Sequence, residues 1–358
     1  MSCNFGNNIK ITIFGQSHSE AIGVVIDGLP AGFKIDNEKV SAFMARRAPG
    51  NSKLSTPRKE ADEVKIISGV VDNVTCGAPL CAVIENTNTR SGDYDKLRFI
   101  PRPSHSDFAA MMKHNGFNDI RGGGNFSGRL TAPLCFAGAV CMQMLEEKGI
   151  RIGAHISSIG KTEDKKFDAV NVNGNDFDDI LAKTFPVIDD NQGEIMQNEV
   201  LDAKKNGDSI GGTIECAVVG MPVGIGDPIF DGIENRIAAA VFGIPAIKGI
   251  EFGAGFESAR MLGSENNDDF ISENGKIKTA TNNHGGILGG ISSGMPIVFR
   301  CAVKPTPSIG IEQNSVNTET GEEEKLVIGG RHDPCIVPRA VPCIEAAAAV
   351  VIADFLLG

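Results

Sequence analysis

Tryptophan is absent from this 358-residue chain and tyrosine occurs once, at Tyr94, so aromatic side chains make up only 6% of it. The core must therefore be built from small and aliphatic side chains, and 43 glycines imply many tight turns. Rings on which unpaired bases could stack are scarce, and a formal net charge of -11 denies the chain a broad basic face. A nucleic-acid partner is excluded on both counts. No apolar run approaches the roughly 18 residues of a membrane span, and MSCNFGNNIKITIFG lacks a basic region followed by an apolar leader, so no membrane partner is expected. The nine cysteines show no CxxC spacing and mostly lie in apolar runs such as PLCFAGAVC. They read as buried, reduced thiols of a cytoplasmic protein, and neither cysteines nor histidines have the spacing of a metal site.

Polar residues are concentrated where apolar filler would be expected. RHDPCIVPRAVPCIEA, starting at Arg331, leads directly into AAAAVVIADFLL, and two other stretches have the same character: FGQSHSEAIGVVIDGLPAG from Phe14 and DIRGGGNFSGRLTAPLCFAGAV from Asp119. A site shared by all three needs both ends of the chain to fold back on the middle, which favours one domain over residues 1–358. Cations cluster near these stretches, at Arg46, Arg47, Lys53, Arg58, Lys59, Arg102, Arg121, Arg129, Lys304, Arg331 and Arg339. Their convergence would make a positive pocket in a negative protein, suited to a small polyanion.

Hydrophobic periodicity alternates strands with helices and shows no internal repeat. IKITIF and GVVIDGL read as strands on either side of the turn GQSHSEA. A helix is predicted from about Asn37 to Ala48, ended by Pro49-Gly50, and another from Ser127 to Lys148, capped by Ser127 and stopped at Gly149. VKIISGVV, APLCAVIE, residues 150–159, GGTIECAVVGMP and MPIVFRCAVKPT complete the strands. Further helices are expected over 193–205, 230–242 and 340–357, with loops from Gly253 to Gly290 and a polar insertion before Glu324. Such irregular order points to an α+β layered domain rather than a doubly wound sheet.

Arg121-Gly-Gly-Gly-Asn-Phe-Ser127 precedes a predicted helix, so its bare N–H groups and the helix dipole suit an anion. It is neither a P-loop nor a dinucleotide fingerprint. GGILGGISSG from Gly285 would let a planar ligand lie against backbone. Two histidines, His18 in GQSHSE and His105 in PRPSHSD, stand beside serines and within three residues of a carboxylate. Imidazoles poised near neutrality suit two proton transfers in one pocket.

With these residues in view, the chain resembles the chorismate synthase family. The three polar stretches match that family's signatures in order and separation, and RRAPG at Arg46, RPSHSD at Arg102, GDSIGG at Gly207, NHGGILGGISSG at Asn283 and KPTPSI at Lys304 match as well. The resemblance implies a β-α-β sandwich of antiparallel sheets around helices, a homotetramer, and an anti-1,4 elimination of phosphate from 5-enolpyruvylshikimate 3-phosphate. Reduced FMN is required without net redox change, and with no Rossmann fingerprint visible an external reductant is expected rather than reduction of the flavin by this protein itself with NADPH.

By the same resemblance, His18 and His105 are proton donors, one toward the reduced flavin and one toward the departing phosphate, and Asp333 helps relay the ring proton. Flavin contacts are implied for Asn125, Phe126, Ser127, Gly289, Lys304, Pro305, Thr306, Pro307, Ser308 and Arg331. Arg47 matches a family arginine at the edge of the site; Arg46, Arg129 and Arg339 are further candidates for gripping substrate anions. Gln16, Ala48, Lys53 and Asn125 depart from the common pattern, each removing a charge or a fork nearby. Two other functions fit glycine turns with cations: a flavin-dependent reductase, and a non-catalytic module binding a phosphorylated metabolite.

Overall fold

A computed structural model describes residues 3–50, 54, 62–87, 98–329 and 332–357. Alternating apolar residues build two five-stranded sheets in which every pairing is antiparallel. The first runs in the order β1 (Asn4–Phe5), β2 (Lys10–Gly15), β3 (Ala21–Asp27), β7 (Leu80–Glu85), β4 (Lys65–Ser68), and β5 (Val70–Val71) and β6 (Val74–Thr75) pair as a separate two-stranded ribbon. Ile22, Val24 and Ile26 lie every second residue on its inner face, beside Leu80, Ala82 and Ile84. The second sheet runs β11 (Ile247–Phe252), β16 (Ile297–Val303), β10 (Gly212–Val219), β8 (Arg151–Ile159), β9 (Thr162–Glu163).

Between the sheets lie α3 (Thr131–Glu146) and α8 (Val337–Leu356), α3 touching β2, β3 and β7 while α8 touches β8 and β10. Both are apolar nearly all round, as a helix wrapped by protein must be. Their small residues let the backbones meet, since a Cβ on Gly138 would collide with Ala346. The last helix begins at Val337, three residues before the expected start, with Pro338 in its first turn where the missing N–H costs nothing. Around this pair stand α1 (Asn37–Arg47) and α6 (Ile233–Phe242), with α4 (Gly174–Leu181) and α5 (Asp190–Lys205) against β8. The expected sandwich of antiparallel sheets around helices is the fold observed.

Several expectations need correction in detail. The stretch from Gly253 to Gly290, expected as loops, contains α7 (Gly263–Asn266), a hairpin of β12 (Phe270–Glu273) and β13 (Lys276–Thr279), and the start of a second of β14 (Ile287–Leu288) and β15 (Ile291–Ser292). The polar insertion forms β17 (Gln313–Val316) and β18 (Glu323–Leu326). A short α2 (Asp107–Lys113) and α4 had no expected counterpart, because seven or eight residues give too little periodicity to read.

Buried charges fasten the layers. Glu345 on α8 is fully buried and takes a bidentate pair from Arg46 Nη1 and Nη2 at 2.6 and 3.0 Å, plus the Ala154 N–H of β8 at 3.0 Å. One carboxylate thus ties α1, α8 and the second sheet. Asp354 accepts the N–H groups of Asn7, Asn8 and Ile9 and the Arg236 guanidinium, binding the first sheet's edge to α8.

Candidate active site

His18 sits in the tight turn from β2 to β3, and the glycine turn of residues 121–127 lies against it. Ser17 N–H donates to Gly124 O at 3.0 Å. Gly122, Gly123 and Gly124 all have positive φ, at 60°, 85° and 56°, a region that a Cβ disfavours. Side chains would also find no room. A Cβ on Gly122 would stand 2.5 Å from His18 Cε1, and one on Gly123 would stand 3.2 Å from His105 Cε1 and Nε2. Two imidazoles separated by 87 residues therefore pack on consecutive peptide units.

Behind His18 runs a chain of charged groups. Asn86 donates through Nδ2 to Gln16 O and Ser19 O at 3.1 and 2.8 Å, which pins the His18 turn, and its Oδ1 accepts from Arg129 Nε at 3.0 Å. Asp62 is buried between Arg129 Nη1 and Arg47 Nη1, and accepts from both. Burial would raise the Asp62 pKa, but the two guanidinium groups outweigh it and hold the carboxyl below its ordinary range. Arg47 Nε also donates to Thr131 Oγ1 at 3.2 Å, Arg339 Nε donates to Arg47 O at 3.0 Å, and Arg339 Nη1 pairs with Asp333. Three arginines, Arg47, Arg129 and Arg339, thus face two aspartates, leaving a surplus of one positive charge for an incoming anion.

The His105 side is built from Arg102, Asp107 and the segment after β16. Arg102 is buried, clamps Asp107 through Nε and Nη2 at 2.7 and 2.9 Å, and reaches Ser308 Oγ through Nη1 at 3.3 Å. Lys304 Nζ donates to Ser104 O, so residues 304 to 308 lie along the His105 turn. His332 belongs to the same neighbourhood: burial, with positive charge from Arg102 and His105, lowers its pKa despite Asp333.

The residues singled out from the sequence divide as follows. His18, His105, Ser127, Arg47, Arg129, Asp333, Arg339, Lys304 and Ser308 belong to this connected set, and Asn125 and Phe126 continue the glycine turn. Arg46 is committed to Glu345, and Arg121 is exposed and paired with Asp119. Gly289 turns β14 into β15 at φ 62°, and the adjoining Gly290 rests on Asp227 and Gly232. Arg331, Lys53, Arg58 and Lys59 lie outside the described residues. Arg102 was named only among the clustered cations, and Asp62, Asn86, Asp107 and His332 were not singled out for roles, although RPSHSD contains Asp107.

A separate cavity of about 510 Å³, lined by Lys10, Asp27, Asp231 and Arg236 among others, opens at the opposite end of the β2–β3 hairpin. Six residue steps at ~3.4 Å put it some 20 Å from His18. It lacks the paired imidazoles, so the chemistry is read from the glycine turn.

For a phosphorylated ligand the glycine turn supplies backbone without side chains, and Thr306 supplies a hydroxyl. Thr306 Oγ1 is buried without a hydrogen-bond partner among the described residues. A buried polar atom usually has one, so this donor fits a bound group.

Comparison with known proteins agrees with this geometry. The family model described as chorismate synthase matches residues 9–357. A chorismate synthase of Lancefieldella parvula is 45% identical, with 99% of this chain and 96% of that protein aligned, and one of Dehalococcoides mccartyi is 44% identical, with 100% and 97% aligned. A crystal structure of chorismate synthase superposes with a TM-score of 0.77 at 30% identity, covering 98% of this chain and 92% of the other. The likeness spans both sheets, both central helices and every segment that carries the paired histidines, and the chain belongs to the chorismate synthase family.

Proposed function

We propose that this chain converts 5-enolpyruvylshikimate 3-phosphate to chorismate, a carbon–oxygen lyase reaction that removes phosphate and a ring proton with reduced FMN bound and no net redox change. The observation that carries the assignment of residues is the packing of His18 on Gly122 and His105 on Gly123. Two proton donors on one rigid turn can serve a ligand stacked there without searching for it.

The substrate carries two carboxylates and a phosphate, and Arg47, Arg129 and Arg339 are the forks that grip them. Arg46 leaves this set, because its partner Glu345 lies within α8 and is bonded to the second sheet, not to the glycine turn. His18 and His105 donate protons, one toward the flavin side and one toward the departing phosphate, whose charge the arginines stabilise as it develops. Asp333, fixed by Arg339, is the carboxylate on the route of the departing ring proton. Asn125, Phe126 and Ser127 with Lys304, Pro305, Thr306, Pro307 and Ser308 would hold the flavin, and Gly289 and Arg331 keep the contacts implied by family likeness. Reduced FMN, when bound, supplies transient electron density that weakens the C–O bond.

The working unit is read as a cytoplasmic homotetramer. Support for this is family likeness, and no helix among the described residues is long and apolar enough to cross a membrane.

The test is phosphate release from 5-enolpyruvylshikimate 3-phosphate under anaerobic conditions, with reduced and oxidised FMN side by side. Release with reduced FMN alone, without stoichiometric consumption of reductant, is expected. His18→Ala and His105→Ala should each slow it by about 10²-fold or more. Unchanged rates in both variants would remove the histidine assignment.

A further inference from the structure

Asp107 is a buried carboxylate that the roles above leave unused. It opens α2 and accepts from the Arg102 backbone N–H at 3.1 Å, Arg102 Nε at 2.7 Å and Arg102 Nη2 at 2.9 Å, while His105 Nδ1 lies 2.5 Å from its Oδ1. Burial alone would raise the Asp107 pKa. Hydrogen bonds from Arg102 and His105 overcome that and keep it well below the ordinary carboxylate range, so Asp107 acts only as an acceptor.

That fixes the proton on the neighbouring ring. A carboxylate oxygen 2.5 Å from a bare nitrogen lone pair would be repelled, so Nδ1 carries a hydrogen and donates it to Asp107. Arg102 Nη2 also aims a hydrogen at the same nitrogen from 3.1 Å, a contact that suits the opposite tautomer, and the carboxylate at 2.5 Å outweighs it. The remaining nitrogen, Nε2, lies against Gly123. Any proton that His105 gains or gives up must pass through this atom.

We propose that Asp107 is a positioning residue that holds His105 as the Nδ1–H form and confines its proton exchange to Nε2, over the glycine turn. Arg102 completes the device by keeping Asp107 from taking the proton itself, and its Nη1 contact with Ser308 links the ring's support to the segment assigned to the flavin. The inference rests on the reading of His105 as a proton donor. Asp107 also favours the start of α2 as a negative charge at a helix N-terminus, so loss of stability alone would say nothing about the ring.

The experiment observes the ring nitrogens directly. With only six histidines in the chain, 15N-histidine labelling and comparison with His105→Gln assign the His105 signals. As pH rises, the proton lost from the wild-type ring should be the one on Nε2, with Nδ1–H retained. Loss from Nδ1, or equal loss from both, overturns the proposal. In Asp107→Asn the Nε2–H form should appear and kcat for phosphate release should fall by about 10²-fold or more, with KM within about threefold, because a wrong tautomer disables proton transfer and leaves binding intact. Asp107→Glu should recover part of the rate. An Asp107→Asn enzyme that keeps Nδ1–H and full kcat also overturns it; if that variant does not fold, the wild-type titration decides. A His105→Ala enzyme as fast as wild type would instead reject the role of His105, whatever the tautomer.

Discussion

Arg46 and Arg47 are neighbours in sequence but answer to different carboxylates: Arg46 to Glu345 inside α8, Arg47 to Asp62 beside the glycine turn. Consecutive residues on a helix point about 100° apart, so one arginine can brace the core while the next faces the site. Val40, Phe43, Met44 and Arg47 form the buried stripe of α1. A cation at the last position of an apolar stripe is costly unless something pairs with it.

Replacing the two arginines should therefore give different phenotypes. Arg46→Ala leaves the Glu345 charge buried and is expected to cost about 3–5 kcal/mol of stability in urea unfolding. Arg47→Ala leaves Asp62 its Arg129 partner and should instead raise KM for the phosphorylated substrate, by about tenfold or more for a lost charged contact. An equal rise in KM for both variants would return Arg46 to the substrate set.

Gly122→Ala tests the packing of backbone on imidazole. The new Cβ would meet His18 Cε1 at 2.5 Å at a φ of 60°. Left-handed strain costs about 1–2 kcal/mol, which shows as a modest fall in Tm. The displacement of His18 should cost more in catalysis, at least about tenfold in kcat, since errors of an ångström in catalytic placement are expensive. Full activity in a folded Gly122→Ala protein would count against the shared turn.

Thr306→Val removes a hydroxyl and little volume. Because Thr306 Oγ1 has no partner among the described residues, stability without ligand should hold steady. Affinity for FMN should drop by about two- to tenfold, the worth of one neutral hydrogen bond at 0.5–1.5 kcal/mol. Titration by flavin fluorescence and calorimetry measures this, and unchanged affinity would detach Thr306 from the cofactor.

The pH dependence of stability should reveal a cluster away from the site. His155 is fully buried in β8, with Nδ1 3.1 Å from Asp164 and Nε2 3.1 Å from Glu215. Burial opposes its charge, but hydrogen bonds to the two carboxylates prevail and raise its pKa. Stabilisation from a raised value is complete below the unfolded imidazole pKa, about 6.5, and is lost as pH rises through the folded value. Asp164 and Glu215 have lowered values, so their share is present above ordinary carboxylate pKa values and is lost as pH falls. The difference in urea midpoint between wild type and His155→Gln should be largest at roughly pH 4.5–6.5 and shrink on the alkaline side. A difference independent of pH from 6 to 9 would show that His155 does not carry the charge.

The elements visible in the sequence were those with long patterns. TAPLCFAGAVCMQM and AAAAVVIADF are apolar at every helical phase, so their burial between sheets is written in their composition. The β12–β13 hairpin had a local signal in Asn274-Gly275 between alternating residues, obscured by the polar character of the surrounding segment. Site legibility followed a similar division. His18 and His105 stand out by their flanking serines and carboxylates, whereas Asp62 sits among charged residues with no periodicity, 67 positions from the Arg129 it neutralises. Partnerships set by tertiary packing leave no trace in local spacing, which is why Glu345 and Arg46, 299 residues apart, looked like separate features.

Placing α8 between the sheets has a consequence for biosynthesis. Every strand of both layers precedes Val337, so a ribosome has made two half-covered apolar surfaces before the helix that fills the gap emerges. Until then the first sheet can pack on α3, but the second sheet lacks the helix that covers β8 and β10. Completion should come as a late, concerted step after translation of α8, and the waiting chain is the kind of client that chaperones shield from aggregation.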